Sequence, residues 1–265
     1  MLVFPRRFVE IEQDGRDPVI ANPNRVILYN AGQRFRRRFV GEPDLNEAFH
    51  FSAGVLRDAL SRLDPSLTDR EPIFPIASAP ISASVYLFQR QVIEAAPRLS
   101  DIDLTEAAFR VLDATLRDAA PMLLGAGSRH RPPRAASAHR DAVAAVQRAI
   151  AAKPTASHSL KALAAESGVS VYHLCRVFRT ETGVTIGRFI HEQRLRRALE
   201  DLADPRADLT TIALSYGYSS HSHFTARFGE VFGMPPSAAR RALTRKSRLP
   251  SEQDRGSRVG ADVRN

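Results

Sequence analysis

The feature that most constrains the fold of this chain is a short sequence motif, predicted to form two helices, that occurs twice in its second half. The copies are SLKALAAESGVSVYHLCRVFRTETG at residues 159–183 and DLTTIALSYGYSSHSHFTARFGEVFG at residues 208–233. In each copy apolar residues recur at helical spacing and a glycine follows the first helix. The predicted caps are Ser159, Ser170, Asp208 and either Ser219 or Ser220, and the predicted turn glycines are Gly168 and Gly217. Two short helices joined by a tight glycine turn are typical of the helix-turn-helix, whose second helix enters the major groove of DNA.

A helix predicted over residues 186–202 joins the two copies and ends before Asp204-Pro205. With its flanks, about 18–20 residues at a rise of ~1.5 Å each, it spans about 30 Å. Successive major grooves on one face of DNA recur about every 34 Å. The spacing therefore predicts that one chain places both of its second helices in adjacent grooves.

Residues 140–243 resemble the DNA-binding domain of the AraC/XylS family of bacterial transcriptional regulators, over about 40% of the chain. The matching phrases are Leu163-Ala164, Ser170-x-x-x-Leu174-x-Arg176-x-Phe178, Arg194-Leu195, Ile212-Ala213, Gly217-Tyr218, Ser222-His223-Phe224 and Phe228-x-x-x-Phe232-Gly233-Met234-Pro235-Pro236-Ser237. The resemblance implies sequence-specific binding to a promoter or operator and activation through contact with RNA polymerase. It also implies that the N-terminal segment is a cupin-like half that senses a small-molecule effector or pairs two copies.

Helix geometry, at ~100° per residue, predicts which side chains of the first copy face DNA. The inward face is predicted to hold Leu174, Val177, Phe178 and Glu181. The outward face is predicted to hold Tyr172, Arg176 and Arg179, with Cys175 at its flank. The guanidinium fork of Arg176 can bond guanine O6 and N7 together, so we expect it to read a base. Tyr172 can stack on sugar or touch a thymine methyl group, and we expect Arg179 to hold phosphate.

The second copy is predicted to present shorter side chains to DNA. Its inward residues are Phe224, Phe228 and Val231; Ser222 and Ala226 lie opposite, with His221, His223 and Thr225 at the flanks. Ser222 bonds bases promiscuously, and Ala226 offers only an apolar contact to a thymine methyl group. His223 belongs to the packing motif of the resembled family, so we expect it to be structural. Arg227 is better placed for the DNA backbone than for bases.

The first half of the chain has a different pattern. Residues 1–52 read as about four short strands punctuated by Gly, Asn and Pro turns, and helical periodicity follows at about residues 81–96 and 103–119. The apolar stripes of these two helices serve either a local core or a second copy of the chain. The expected fold class is α+β: a cupin-like sensor or dimerisation domain, linked to an all-α domain with two helix-turn-helix motifs. The predicted boundaries are 1–124 for the first domain, 125–139 for the linker, 140–245 for the DNA-binding domain and 246–265 for a disordered basic tail.

Charge supports a polyanionic partner for the second half. Residues 131–265 carry 22 Lys and Arg against 12 Asp and Glu, whereas residues 1–130 carry 16 against 17. We expect double-stranded DNA as the partner of the basic half. RNA polymerase, an effector and a homodimer are further expected partners.

Several classes of protein are disfavoured. The single cysteine, Cys175, excludes a disulfide framework, and His50 is the only histidine before residue 126, so no metal site and no cofactor are expected. No run of about 18 apolar residues predicts a membrane span, and the early charges of the first residues do not fit a secretory leader, so a cytoplasmic protein is expected. Two alternatives stay open: a non-specific architectural DNA binder, and an enzyme with a cupin-derived N-terminal domain.

Overall fold

The computed structural model describes residues 1–40, 42–43, 45–125 and 134–244, with the side chains of 134–137 outside the description. Strands dominate the first fifty residues and helices the remainder, which confirms the predicted α+β class. The predicted tail, 246–265, lies outside the described residues.

Seven short strands form two antiparallel sheets in the described part of the chain, and six of them lie in residues 1–52, where about four were predicted. They are β1 (Leu2–Pro5), β2 (Val9–Gln13), β3 (Val19–Ala21), β4 (Arg25–Leu28), β5 (Phe35–Phe39), β6 (Asn46–Phe49) and β7 (Ser78–Pro80). One sheet has the order β6-β1-β4-β7, and the other has the order β3-β2-β5. The prediction was wrong about β7 because three residues are too few to show alternation. Only its pairing with β4, in which Ala79 lies opposite Val26, makes that segment a strand.

Three helices follow within the first half of the chain. They are α1 (Ala53–Leu63), α2 (Ala83–Ala95) and α3 (Asp101–Gly125). Every residue of α2 from Val85 to Val92 is buried, and this helix packs against α3. The stripe of α2 therefore belongs to the core of the chain itself, which was one of the two alternatives that the sequence left open. The outer face of α3 keeps two exposed apolar side chains, Ile102 and Phe109.

The second half is helical throughout its described part. Its helices are α4 (Arg134–Ala152), α5 (Leu160–Glu166), α6 (Val171–Thr182), α7 (Ile186–Leu202), α8 (Leu209–Ser215), α9 (His221–Phe232) and α10 (Pro236–Thr244). Helix α4 begins at Arg134, before the predicted start at residue 140. Alanine is the strongest helix former, and the alanine-rich segment after residue 133 extends the helix backwards. Residues 134–139 of the predicted linker are thus helical, and 126–133 lie outside the described residues.

The apolar cores do not follow the predicted domain boundary. The largest cluster joins β1, β4 and helices α1 to α3 with α7 to α10, from Leu2 to Leu243. A second cluster joins Phe8, just before β2, and Ile20 of β3 to α4, α5, α6 and the start of α7. Each half of the chain therefore helps to bury the other. No helix in the described ranges combines the length and the apolar character needed to cross a bilayer.

Candidate nucleic-acid interface

The first helix pair, α5 and α6, is set by a local turn and one cap. Ser170 lies at the N-cap of α6, where its Oγ accepts a hydrogen bond from the backbone N–H of His173 at 3.2 Å. Gly168 in the turn has a φ of +67°, which glycine adopts without the steric cost that a Cβ brings. Ser159 lies at the N-cap of α5 as predicted, but its side chain makes no capping hydrogen bond.

Helix α6 buries one face and exposes the other. Leu174, Val177 and Phe178 are buried, and the ring of Phe178 packs edge-on against Phe189 of α7, with centroids 5.3 Å apart. Glu181 was predicted on this inward face but is exposed, since burying an unpaired carboxylate is costly. The helix therefore has an apolar side directed into the second core cluster and a polar side turned to solvent.

The outward face of α6 holds every residue predicted there. Tyr172, which is 79% exposed, Cys175, Arg176 and Arg179 are all exposed. Neither Arg176 nor Arg179 has an ion-pair partner among the described residues. This face therefore presents two guanidinium groups that are free to meet an external anion.

The second helix pair, α8 and α9, repeats the arrangement with different caps. Asp208 caps α8, where its carboxylate accepts from the N–H of Thr211 at 2.7 Å, and this hydrogen bond lowers the pKa of Asp208. Of the two candidate caps of α9, Ser220 is the one that accepts, from the N–H of His223 at 3.1 Å. Ser219 instead hydrogen-bonds Nδ1 of His223 at 3.1 Å.

Helix α9 is anchored by a ladder of aromatic rings. Phe224, Phe228 and Phe232 are buried, with successive ring centroids 5.6 Å and 4.5 Å apart. Val231, predicted inward, is half-buried. His223 is half-buried against the ring of Tyr218, with centroids 5.4 Å apart, which is a packing position.

The outward face of α9 is sparser than that of α6. His221, Ser222, Ala226 and Arg227 are exposed, and Thr225 is half-buried. Arg227 pairs with Glu230 one helical turn later at 2.8 Å, so its charge is partly neutralised. Sequence reasoning missed this pair, although the i, i+3 spacing of opposite charges was a usable signal.

Helix α7 connects the pairs and carries buried polar groups that the sequence did not single out as structural. Arg194 donates to the carbonyl oxygens of Pro154, Thr155 and Ala156, at 3.1, 3.3 and 2.6 Å, and so fastens the segment between α4 and α5 to α7. The turn between α8 and α9, which contains Gly217, packs against Arg194 and the segment that it holds. A Cβ at Gly217, whose φ is +78°, would lie 3.0 Å from the oxygen of Thr155.

Two further groups at this interface were missed. The ring of His139 in α4 lies 5.1 Å from that of His173 in α6, a contact between residues far apart in sequence that no local pattern predicts. His191 of α7 packs 5.8 Å from Tyr218, and burial together with the charge of Arg194 lowers the pKa of His191. Neither group lies on the exposed faces of α6 or α9. No group of three His, Cys, Asp or Glu side chains that could hold a metal ion occurs in the described ranges.

Comparison with known proteins shows that the helical half is similar to parts of transcriptional regulators. A family model described as a helix-turn-helix domain matches residues 163–242. The chain is 36% identical over 78 residues to PqrA, a probable transcription factor of Proteus vulgaris, and 35% identical over 82 residues to AarP, a transcriptional activator of Providencia stuartii. These stretches cover 29% and 31% of this chain and 64% and 61% of those proteins, so the chain spans less than two-thirds of each relative's length.

Among solved structures, an AraC-type regulator from Chromobacterium violaceum aligns with 23% identity and a TM-score of 0.38. The alignment covers 42% of this chain and 99% of that one. The family match runs from Leu163 in α5 to Ala242 in α10 and so takes in both helix pairs. Residues 163–242 of the chain thus match a helix-turn-helix domain and are similar in sequence to parts of the regulators PqrA and AarP.

Proposed function

We propose that the protein is a sequence-specific DNA-binding transcriptional regulator, and an activator, that reads DNA with α6 and α9. The observation that carries the proposal is the two-sidedness of both helices. Each buries an apolar face in a different core cluster and leaves a polar face exposed. A surface helix held in this way can enter the major groove without disturbing the core beneath it.

The two helix pairs are proposed to act as two helix-turn-helix motifs held at a set distance by α7. Helix α7 has 17 residues, which at ~1.5 Å each makes it about 26 Å long. Adding the flanking turns brings the two reading helices near the ~34 Å repeat of the major groove. Its anchoring by Arg194 and by the N-terminal strands favours a rigid spacer.

Helix α6 is proposed to contribute more to sequence recognition than α9. On α6, Arg176 reads a base through its fork, Arg179 holds phosphate, Tyr172 contacts sugar or a thymine methyl group, and Cys175 lies at the edge of this face. On α9 the proposed contacts are weaker and come from His221, Ser222, Thr225 and Ala226, with Arg227 on the backbone. The free guanidinium groups of α6 and the Arg227–Glu230 pair of α9 support this order.

The N-terminal half, residues 1–124, is proposed to be a cupin-like sensor and dimerisation domain, followed by a linker and the DNA-binding domain at 140–245. The two antiparallel sheets favour a small barrel-like shell. A homodimer would use the outer face of α3, where Ile102 is 80% exposed and Phe109 is 43% exposed, since α2 is buried. RNA polymerase, a small-molecule effector and a cytoplasmic location are proposed on family grounds.

Footprinting of the purified full chain on genomic fragments tests the proposal. We expect discrete protected sites, each with two protected major grooves about one helical turn apart on one face of the DNA. Arg176→Ala should weaken the protection of these sites, and Arg34→Ala, which removes a 90% exposed arginine of the N-terminal half, serves as the matched control. Uniform protection of all fragments would indicate an architectural DNA binder instead. A metal assay on the same protein tests the enzyme alternative.

A further inference from the structure

Strand β5 (Phe35–Phe39) differs from the other strands because solvent reaches all five of its residues. It lies at one end of the sheet β3-β2-β5, so in the described part of the chain only β2 pairs with it. Its sequence, Phe-Arg-Arg-Arg-Phe, combines two aromatic rings with three cations. The backbone groups of such an edge can pair with another chain. Neither the proposed DNA contacts nor the proposed dimer face of α3 uses this strand.

The backbone of β5 directs alternate groups away from β2. The carbonyl oxygen of Arg34 accepts from the N–H of Asp14, which lies opposite it, at 3.0 Å. In an antiparallel ladder, such hydrogen-bonded pairs alternate with pairs whose N–H and C=O groups point outward. The register of β2 and β5 therefore turns the N–H and C=O of Phe35 and Phe39 towards the open edge. An additional strand would find donors and acceptors at these two positions.

One face of β5 presents aromatic surface beside the apolar core. Phe39 lies opposite the buried Val9, yet Phe39 itself is 61% exposed. Phe35 lies on the same face and is 41% exposed, with its ring centroid 4.5 Å from that of Tyr29. Apolar side chains of an added strand would shield these two rings from water, which is favourable.

The other face of β5 carries a row of positive charge. Arg36 lies opposite Glu12 of β2, and Arg38 lies opposite Glu10. The carboxylate of Glu10 is already bound by Arg148 of α4, and it lies 3.8 Å from the guanidinium of Arg38. Arg36 has no ion-pair partner among the described residues. Carboxylates arriving on the open side would therefore meet both arginines.

Charge determines which occupant suits this edge. The sequence of β5 is the same in both directions, so antiparallel pairing with a second copy would place arginine opposite arginine, which is destabilising. The sequence after residue 244 carries six Lys or Arg against three Asp or Glu, so it would also be repelled. An extended segment in which Asp or Glu alternates with apolar residues fits both faces, because neighbouring side chains of a strand point to opposite sides.

We propose that β5 is a docking strand for an acidic, extended segment of another protein, which adds to the sheet beside β5. Its carboxylates lie against Arg36 and Arg38, and its apolar side chains cover the two phenyl rings. Main-chain hydrogen bonds give strand addition its affinity, and alternate side chains give its specificity. Because β2 is tied to α4 through Glu10 and Arg148, the docked segment is held beside the helical half. The binding does not depend on the proposed function in DNA recognition.

Fluorescence anisotropy with the full chain, without DNA and at physiological salt, tests the docking strand. The probe is a labelled peptide in which Glu and Val alternate. One comparison peptide has Lys in place of Glu, and another has the same composition with every Glu before every Val. We expect saturable binding of the alternating Glu/Val peptide and at least about tenfold weaker binding of the other two. Absence of saturable binding, or equal binding of the three peptides, overturns the proposal.

Charge reversal on β5 locates the bound peptide. The double variant Arg36→Glu, Arg38→Glu should lose the Glu/Val peptide and gain saturable binding of the Lys/Val peptide, which a misfolded protein would not do. The control, Arg62→Glu with Arg98→Glu, makes the same change of charge at two exposed positions outside β5 and should bind as the original chain does. Equal losses in both double variants would refute the site. If only single-stranded oligothymidylate binds, and the β5 reversal abolishes its binding, the strand takes nucleic acid instead.

A proline variant tests whether the segment binds as a strand. Phe39→Pro and Phe39→Ala both remove the ring, but only proline also removes the N–H that points to the open edge. Phe39→Pro should therefore bind the Glu/Val peptide about two- to tenfold more weakly than Phe39→Ala. Equal affinities of the two variants would show that the peptide does not pair with the backbone of β5, and strand addition would be wrong.

Discussion

Arg7, between β1 and β2, donates through both Nη atoms to the two carboxylate oxygens of Glu200 in α7, with Nη2 at 2.8 Å from Oε2. This fork-to-fork pair links the first residues of the chain to the helix that connects the two helix pairs. Burial disfavours the charged form of Glu200, but the hydrogen bonds and charges of Arg7 and Arg6 outweigh burial and lower its pKa. The same pair raises the pKa of Arg7.

Removing this carboxylate should destabilise the whole chain. Glu200→Gln leaves two guanidinium groups partly unpaired, and hydrogen bonds to charged groups contribute about 1.5–3 kcal/mol each. We expect the free energy of unfolding in urea to fall by about 2–3 kcal/mol. Asp58→Asn, which breaks an exposed pair with Arg62, is the control and should cost less than about 1 kcal/mol. Equal losses in the two variants would contradict a special role for the Arg7–Glu200 pair.

The stability of the chain should fall in acid, and two glutamates should contribute with opposite sign. The pKa of Glu200 is lowered, so its stabilisation is present above the unfolded pKa and is lost as pH falls through the folded one. Burial raises the pKa of Glu47, so the folded state holds that proton more tightly and Glu47 costs stability as pH rises. Unfolding free energies between about pH 6 and pH 3 should therefore vary less steeply in Glu200→Gln and more steeply in Glu47→Gln. Parallel pH profiles would refute this assignment.

Base reading by α6 should depend on the guanidinium fork of Arg176. Arg176→Ala should weaken binding to the preferred site by about 1–3 kcal/mol and relax preference at one base pair, with the salt dependence nearly unchanged. Arg176→Lys keeps the charge and should lose most of the same discrimination. Ser222→Ala in α9 should cost less. If Arg176→Ala weakens all sequences equally and lowers the salt slope by about one, Arg176 contacts phosphate and His221 and Thr225 become the next candidates.

Binding to DNA should depend strongly on salt. If Arg179, Arg227 and other cations contact five to eight phosphates, counterion release predicts a log–log slope of roughly −4 to −7. Filter binding between low and physiological salt measures it. Arg34→Gln, far from α6 and α9 in sequence and 90% exposed, should leave the slope unchanged. A slope near zero would show that the basic half does not bind through phosphates.

The two turn glycines should differ in their tolerance of a side chain. Both have a left-handed φ, so Gly168→Ala should cost about 1–2 kcal/mol from backbone strain alone, because nothing lies within 4 Å of the added Cβ. At Gly217 the Cβ would also meet the oxygen of Thr155 at 3.0 Å and Nη1 of Arg194 at 3.2 Å. Gly217→Ala should therefore be clearly more destabilising in urea unfolding. Equal costs would mean that the contact with Arg194 relaxes freely.

Local sequence was sufficient for the helical half. The bounds of α7 and α8, the caps Ser170 and Asp208, and the outward position of Arg176 on α6 all follow from information within one or two helical turns. Periodicity, capping and glycine turns act over one or two helical turns, so each copy of the two-helix motif specifies its own helices. The same local sequence patterns carry the resemblance to the AraC/XylS family.

Only the tertiary structure decided how the halves meet. Arg7 and Glu200 are 193 residues apart, β7 is a strand only through its pairing with β4, and the stripe of α2 is covered by helices from the far end of the chain. A cavity lined by Arg25 and Arg196 likewise exists only where two strands and six helices come together. Such contacts depend on closing long loops and on packing side chains from distant segments, neither of which local propensity encodes. The sequence by itself thus determined the helices that we propose to read DNA. The tertiary structure decided which distant segments pack against them.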